Sequence, residues 1–222
     1  MAYYIRLSYD HKHLWQLPSG AQGKSTNNTT HEHRYGFGFE EWFFNSRRYK
    51  DETGKAQAHF AYLQAFNRAA PPDESKDLVL YTLASNSPQP TNRYIVARIK
   101  TGNWRFIDHK RYLKLKNCNA QGIRDMQAEL QREFQRGSFR EGLVWNDVLT
   151  RFKQQLNCQD WYGQASDTYR LWNIEFLKTV KVLMQRVNEN TPCLDWHVNN
   201  LNRFKLNNSE NFDHNNCKID FI

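Results

Sequence analysis

His31-Glu32-His33-Arg34-Tyr35-Gly36-Phe37-Gly38-Phe39-Glu40-Glu41-Trp42-Phe43-Phe44-Asn45-Ser46-Arg47-Arg48-Tyr49 decides how the chain is read. Tyr35, Phe37, Phe39 and Trp42 crowd together around Gly36 and Gly38, and the adjacent acids Glu40 and Glu41 follow at once. A core strand has no use for paired glutamates beside Gly-Phe-Gly, and a solvated loop has no use for so many rings. The mixture suits the lining of a pocket for a flat, hydrogen-bonding ligand, a nucleobase above all. Ring faces stack on bases at about 1–3 kcal/mol each, glycines let backbone approach closely, and carboxylates accept hydrogen bonds from a base edge. The expected base-binding set is Tyr35, Phe37, Phe39, Glu40, Glu41, Trp42 and Asn45, with Asn45 reading an edge or fixing the turn. The plainer alternative puts Phe37, Phe39 and Phe43 in the core and has the glutamates cap a helix.

Outward from this stretch, residues 3–9 are strand formers, and 10–30 form a long polar loop around Pro18-Ser19-Gly20. A helical turn is expected from Glu40 to Asn45, the two acids favoured in its first turn. Trp42, Phe43 and Phe44 then point in different directions, so not all three are expected to face the core. Strands are expected over 58–66, 77–84 and 92–100, with 104–107 continuing the sheet. Ile123, Met126, Leu130 and Phe134 repeat with helical spacing and predict a helix over 119–135. Val144, Val148, Phe152 and Leu156 predict a second, and residues 179–187 a third. Residues 169–176 alternate in polarity as a late strand does. The chain reads as one α+β domain over 1–206, a small curled antiparallel sheet or barrel with helices packed around it, followed by a polar tail over 207–222.

At 222 residues the chain can bury a substantial core. Apolar content is modest at 39%, yet aromatics reach 14%, so rings do much of the packing and some are spare for stacking. A net charge of +8 favours an anionic partner. Arg93, Arg98, Lys100, Arg105, Lys110, Arg111, Lys114 and Lys116 lie in one span interleaved with Tyr94, Trp104, Phe106 and Tyr112, and its one acid is Asp108. Cations in a row among rings suit a nucleic-acid backbone. Arg47, Arg48, Arg93, Arg98, Lys100, Arg105, Lys110 and Arg111 are the expected phosphate contacts.

Catalytic signatures are sparse. His11/His13 and His31/His33 would each share a strand face, but no third ligand accompanies them, so no metal and no cofactor is expected. Cys118, Cys158, Cys193 and Cys217 form no Cys-x-x-Cys pair and read as reduced thiols of a cytoplasmic protein. No secretory signal or membrane-spanning run is evident, so no membrane partner is expected. Phosphate-loop, metalloprotease and nucleophile-elbow motifs do not occur, and no complete catalytic constellation is visible.

The run Gly38-Phe39-Glu40-Glu41-Trp42-Phe43-Phe44-Asn45 resembles a pattern in N-terminal regions of modification-dependent restriction proteins. There such a run precedes a Tyr-containing strand and a Leu-Tyr-Thr strand, to which 58–65 and Leu80-Tyr81-Thr82 are similar; 93–99 is similar to the next strand and 171–176 to a closing one. The resemblance extends to about residue 187. It implies a PUA-superfamily reader, a small β-barrel with helices that holds a modified, flipped base in an aromatic pocket. Those proteins carry a nuclease or NTPase module after the reader, for which this chain shows no motif. Modified-base recognition in DNA, ahead of RNA, is therefore expected, with cleavage left to a separate nuclease subunit. Two alternatives stand beside it: a metal-dependent nuclease or RNA-processing enzyme of the same fold using Glu40, Glu41 and His31 or His33, and a protein-interaction module or inhibitor.

Overall fold

The apolar runs of the sequence become short strands, and its period-3.6 stretches become helices. The computed structural model describes residues 2–10, 12, 15–22, 24, 30–45, 49–67, 70–83, 93–178 and 185–187, of which 83, 93–94 and 185–187 are described by their backbone. In chain order the elements are β1 (Ala2–Arg6), α1 (His31–Tyr35), β2 (His59–Ala61), β3 (Asp77–Leu83), β4 (Arg93–Ile99), β5 (Trp104–Phe106), α2 (His109–Cys118), α3 (Ala120–Gln135), α4 (Trp145–Leu156), β6 (Ile174–Phe176) and β7 (Gln185–Val187). Two 3-10 turns, Phe39–Trp42 and Gln64–Phe66, complete the set.

The fold is α+β, with two sheets. The first runs β1-β3-β4-β7, and the second runs β2-β6-β5. β1 lies parallel to β3, from Ala2 opposite Asp77 to Arg6 opposite Tyr81, while β3–β4 and β4–β7 are antiparallel. The expected single antiparallel sheet is thus two sheets, one of them mixed, because the long connection from β1 to β3 returns the chain in the same direction. Among the described residues neither strand order closes on itself. Leu78, Val79 and Leu80 of β3 and Ile95, Val96 and Ala97 of β4 are all buried, the pattern of strands covered on both faces.

Two cores result. Between the sheets lie Trp15, Phe43, Phe44, Leu63, Phe66, Leu80, Val96, Trp104 and Phe176, among others. A second core joins the helices to the other side, with Phe37, Phe39, Trp42, Tyr112, Leu115, Met126, Leu130, Val148, Phe152 and Trp172. The turn Phe39–Trp42 stands between them. Trp42, Phe43 and Phe44 do diverge, but all three are buried, since apolar volume awaits them on both sides. Asn173 ties the second sheet together: its side-chain amide bonds both the N–H and the carbonyl of Leu63, at 2.8 and 2.7 Å.

Three elements differ from expectation. The span 109–116, read as part of a basic strip, is helix α2; Asp108 caps it by accepting from Arg111 N–H at 2.7 Å, and Tyr112 and Leu115 turn inward three residues apart. The start of the opening stretch is helix α1, which places His31 and His33 on different faces rather than on the shared face of a strand. Gln185–Val187, expected in a helix, is a strand completed by the edge of β4; residues 179–184 and the tail over 207–222 lie outside the described residues.

Gly36 ends α1 in the left-handed conformation, φ +73°, and a Cβ there would collide with the Phe139 ring. Gly54 has φ +83° with open space around it. Gly54→Ala should therefore lose about 1–2 kcal/mol from backbone strain alone, and Gly36→Ala about 1–3 kcal/mol beyond that for overpacking. Chemical denaturation of both variants checks the difference, and equal losses would remove the close contact with Phe139 from the account.

Candidate functional site

Glu40 and Glu41 leave the 3-10 turn in different directions, and both are buried. Glu40 accepts from Ser8 N–H at 2.8 Å and from Gln64 N–H at 2.9 Å, and contacts Ser8 Oγ at 3.2 Å. Glu41 accepts from Ser19 N–H at 2.6 Å and Ser19 Oγ at 2.8 Å, reaches back to Gly38 N–H, and pairs with Lys24 Nζ at 3.0 Å. Lys24 is buried as well and donates to the carbonyls of Gly20 and Gly36. The two acids expected at a base edge are thus fully engaged by the protein's own donors. Asn45 Nδ2 donates to the Gln16 carbonyl at 2.6 Å, in keeping with fixing the turn. Trp42 is 3% exposed and donates from Nε1 to Glu129 at 2.9 Å, so its ring stands behind Phe37 and Phe39 rather than at a surface.

The ring cluster itself does form, around a different centre. His31 is enclosed by Tyr35, Phe37, Phe39 and Trp161, with ring centroids 5.0–5.5 Å away. Beside it lies Arg151, 2% exposed, its guanidinium 4.8 Å from the Trp161 ring, 5.6 Å from Tyr169 and 6.0 Å from Phe39. Phe37 and Phe39 form the floor and are buried; Tyr35, Trp161 and Tyr169 are half-buried and carry the box to the surface. Tyr162, next to Trp161, is 88% exposed, and its turn is braced by Asp160, which accepts from the N–H groups of Tyr162 and Gln164. Arg34 stands over the outer side of Trp161 at 6.0 Å, and Arg140 bonds His33; both are exposed.

Electrostatics inside the box follow from burial. Desolvation and the nearby Arg151 and Lys24 cations hold the His31 imidazole well below its usual range, so it is neutral near pH 7. Arg151 Nε–H donates to His31 Nδ1 at 3.4 Å, which leaves the ring hydrogen on Nε2. That nitrogen is buried and has no hydrogen-bond partner. Glu40 is pushed up from 4.5 to about 7, chiefly by burial, with Glu32 adding to it against the hydrogen bonds from Gln64 and Ser8. Ser8 Oγ lies 2.8 Å from Glu32 Oε1 and 3.2 Å from Glu40 Oε2, so its one hydroxyl hydrogen is shared between the two carboxyl groups.

The basic strip does not stay together as a row. Arg98 is 1% exposed within β4. Arg111 makes a forked pair with Glu52 at 3.0 and 3.2 Å, and both it and Arg105 reach Glu175 at 2.5 Å. Lys100, Lys110 and Lys114 are exposed, and Arg105 is 46% exposed. The side chain of Arg93 and all of Arg47, Arg48, His11 and His13 lie outside what is described. Among the described residues, no group of three or more His, Cys, Asp or Glu side chains is arranged to hold a metal, and no helix is long and apolar enough to cross a membrane. Cys118 and Cys158 are free thiols.

Sequence reading missed Arg151, Trp161 and Tyr169. A signal for Arg151 existed: Val148, Arg151, Phe152 and Gln155 are spaced three, one and three, a single helical face on which two polar residues share the buried stripe. Trp161 sits in irregular chain with no periodicity to mark it, and Tyr169 falls in the span read as a late strand, of which only Ile174–Phe176 is one. Comparison with protein-family models, curated proteins and solved structures finds no match for the chain.

Two outcomes are expected. Trp42→Ala should destabilise the fold by about 3–5 kcal/mol, as loss of a buried large ring does, measured by urea unfolding; a loss under about 1 kcal/mol would place the ring outside the core. Glu40 binds its proton more tightly folded than unfolded, so its contribution to stability is complete below about pH 4.5 and is lost as pH rises through about 7, up to ~3 kcal/mol in all. A carboxyl-carbon NMR titration should show its midpoint near 7, and a midpoint near 4.5 contradicts this.

Proposed function

We propose that the chain binds nucleic acid, DNA in preference to RNA, and takes a modified base, flipped from the duplex, against the ring faces of Tyr35, Trp161 and Tyr169 over the floor of Phe37 and Phe39. The observation that carries the reading is the aromatic box with a buried guanidinium in its wall. Stacked rings with a few convergent polar groups are what a flat heteroaromatic ligand needs. Extruding a base costs a few kcal/mol, and stacking at about 1–3 kcal/mol per ring offsets it. Glu40 and Glu41 then serve the box from behind, as its anchors.

Phosphate contacts fall to exposed cations near the rim and on the helices, Arg34 and Arg140 beside the box and Lys100 and Lys110 on the former strip. In this reading a separate nuclease subunit supplies any cleavage, and the protein works in the cytoplasm. The two sheets around the Phe43–Trp104 core are read as the counterpart of a PUA-like barrel, since both contribute side chains to one interior.

The test is a set of duplexes identical but for one modified base. Wild type should bind the modified duplex about tenfold more tightly or better. Trp161→Ala should bring that ratio toward one while leaving salt-dependent background binding. Arg140→Ala with Lys110→Ala should instead weaken all duplexes alike and lower the salt slope by about 2. Equal affinity of wild type for plain and modified duplexes overturns the reading; tight capture of a protein with no duplex binding would replace it with an interaction module.

A further inference from the structure

The polar groups in the wall of the box lean toward donors: His31 Nε2 is buried without a partner, and Arg151 keeps N–H groups beyond those its amide and imidazole neighbours engage. Arg151 has five N–H groups. Three are engaged, by His31 Nδ1 at 3.4 Å, Gln154 Oε1 at 3.4 Å and Gln155 Oε1 at 3.0 Å. One N–H on each terminal nitrogen remains, and a guanidinium can turn such N–H groups to the two oxygens of a carboxylate. His31 adds a third donor, the buried Nε2–H that has no partner. The amide acceptors nearby already face Arg151. Gln155 Oε1 is taken by Arg151 itself, while its Nε2 donates away to the Arg170 carbonyl at 3.0 Å.

Charge is unbalanced in the same direction. Among the described residues no carboxylate lies within ion-pair distance of Arg151. Asp160 acts on it from farther off, but that carboxylate is held by its own turn through Tyr162 N–H at 2.8 Å and Gln164 N–H at 2.9 Å. Glu32, on the same helix as His31, accepts from Ser8 Oγ. A buried cation is costly unless something pairs with it. Among the described residues the fold supplies rings and amides but no carboxylate at ion-pair distance, a place that a ligand's negative charge would fill.

We infer that the box receives a planar ring bearing a carboxylate, and that Arg151 and His31 hold that carboxylate. This rests on the reading of the box as a base pocket, where the matching ligand is a cytosine carboxylated at its 5 position. A phosphate would satisfy the donors but is tetrahedral and strongly hydrated, and gains nothing from Phe39, Tyr169 and Trp161. A neutral methylated or hydroxymethylated base would use the rings and leave the guanidinium without its counter-charge. Trp161 stands over the guanidinium at 4.8 Å, which makes it the ring nearest the proposed carboxylate.

The experiment uses the whole chain and duplexes carrying cytosine, 5-methyl-, 5-hydroxymethyl- or 5-carboxylcytosine at one position, with free orotate, a pyrimidine carboxylate, as a separate arm read by thermal shift. Wild type should prefer the 5-carboxyl duplex over the 5-methyl duplex by about tenfold or more, and orotate should raise its melting temperature. Arg151→Met should abolish both effects. That variant also removes a buried uncompensated charge, so its own melting temperature should match or exceed wild type. Arg151→Lys keeps the charge but lacks the fork, and should retain a smaller preference. A wild type that prefers 5-methyl or 5-hydroxymethyl duplexes overturns the inference and leaves the base pocket standing. Orotate binding lost in Arg151→Met, without any preference among duplexes, keeps the carboxylate site and overturns the base pocket. No orotate shift and no preference for the 5-carboxyl duplex overturns the carboxylate site.

Discussion

Glu40 and Glu41 leave one 3-10 turn in opposite directions, and each gathers donors that the surrounding backbone cannot satisfy by regular pairing. Glu40 takes the N–H groups of Ser8 and Gln64, and so joins the end of β1 to the chain after β2. Glu41 takes Ser19 and Gly38, and with Lys24 it pins the loop around Pro18-Ser19-Gly20 against the opening stretch. A buried carboxylate is tolerable when hydrogen-bonded and paired, and its loss leaves several donors stranded at once. Every other feature of the region depends on this double anchor. It fixes the turn between the two cores, sends Phe37, Phe39 and Trp42 to the helical side, and sends Phe43 and Phe44 between the sheets.

The box is a consequence of that placement. Once Phe37 and Phe39 are set on the helical side, α1 brings His31 and Tyr35 over them, and α4 brings Arg151 up beside the ring of His31. The chain after α4 then closes the far wall with Trp161 and Tyr169. Gly36 and Gly38 are needed for this approach: a side chain at Gly38 would meet Ser8 Oγ at 2.8 Å, the same serine that serves Glu40. In the proposed function, anchoring and ligand binding fall to different residues. The acids hold the scaffold, and a buried guanidinium with a neutral imidazole provides the polar chemistry of the wall.

Much of this was legible in the sequence, unevenly so. Helices α3 and α4 were plain, because Ile123, Met126 and Leu130, then Val148 and Phe152, repeat with the helical period. Strands β3 and β4 were plain as short apolar runs. The parallel pairing of β1 with β3 was not, since it depends on a connection of some seventy residues whose path no local pattern records. Tyr35, Phe37 and Phe39 do come together, around His31, whereas the polar partners expected for them were the nearest acids in sequence. Adjacency along the chain is a poor guide there: on a tight turn neighbouring side chains diverge, and the group that reaches the rings comes from Arg151, more than a hundred residues later. The cationic strip failed for a similar reason. Composition shows eight cations and one acid within it, whereas the fold brings Glu52 and Glu175 from elsewhere to Arg111 and Arg105.

The most direct measurement asks whether a base leaves the duplex. A 2-aminopurine placed beside the modified position fluoresces when its neighbour unstacks. Binding of wild-type protein to a duplex with a modified base should raise that fluorescence, and the rise should be absent with the plain duplex. Tight binding to the modified duplex with no change in fluorescence would mean that the base stays in the stack, and that the aromatic box does not receive it.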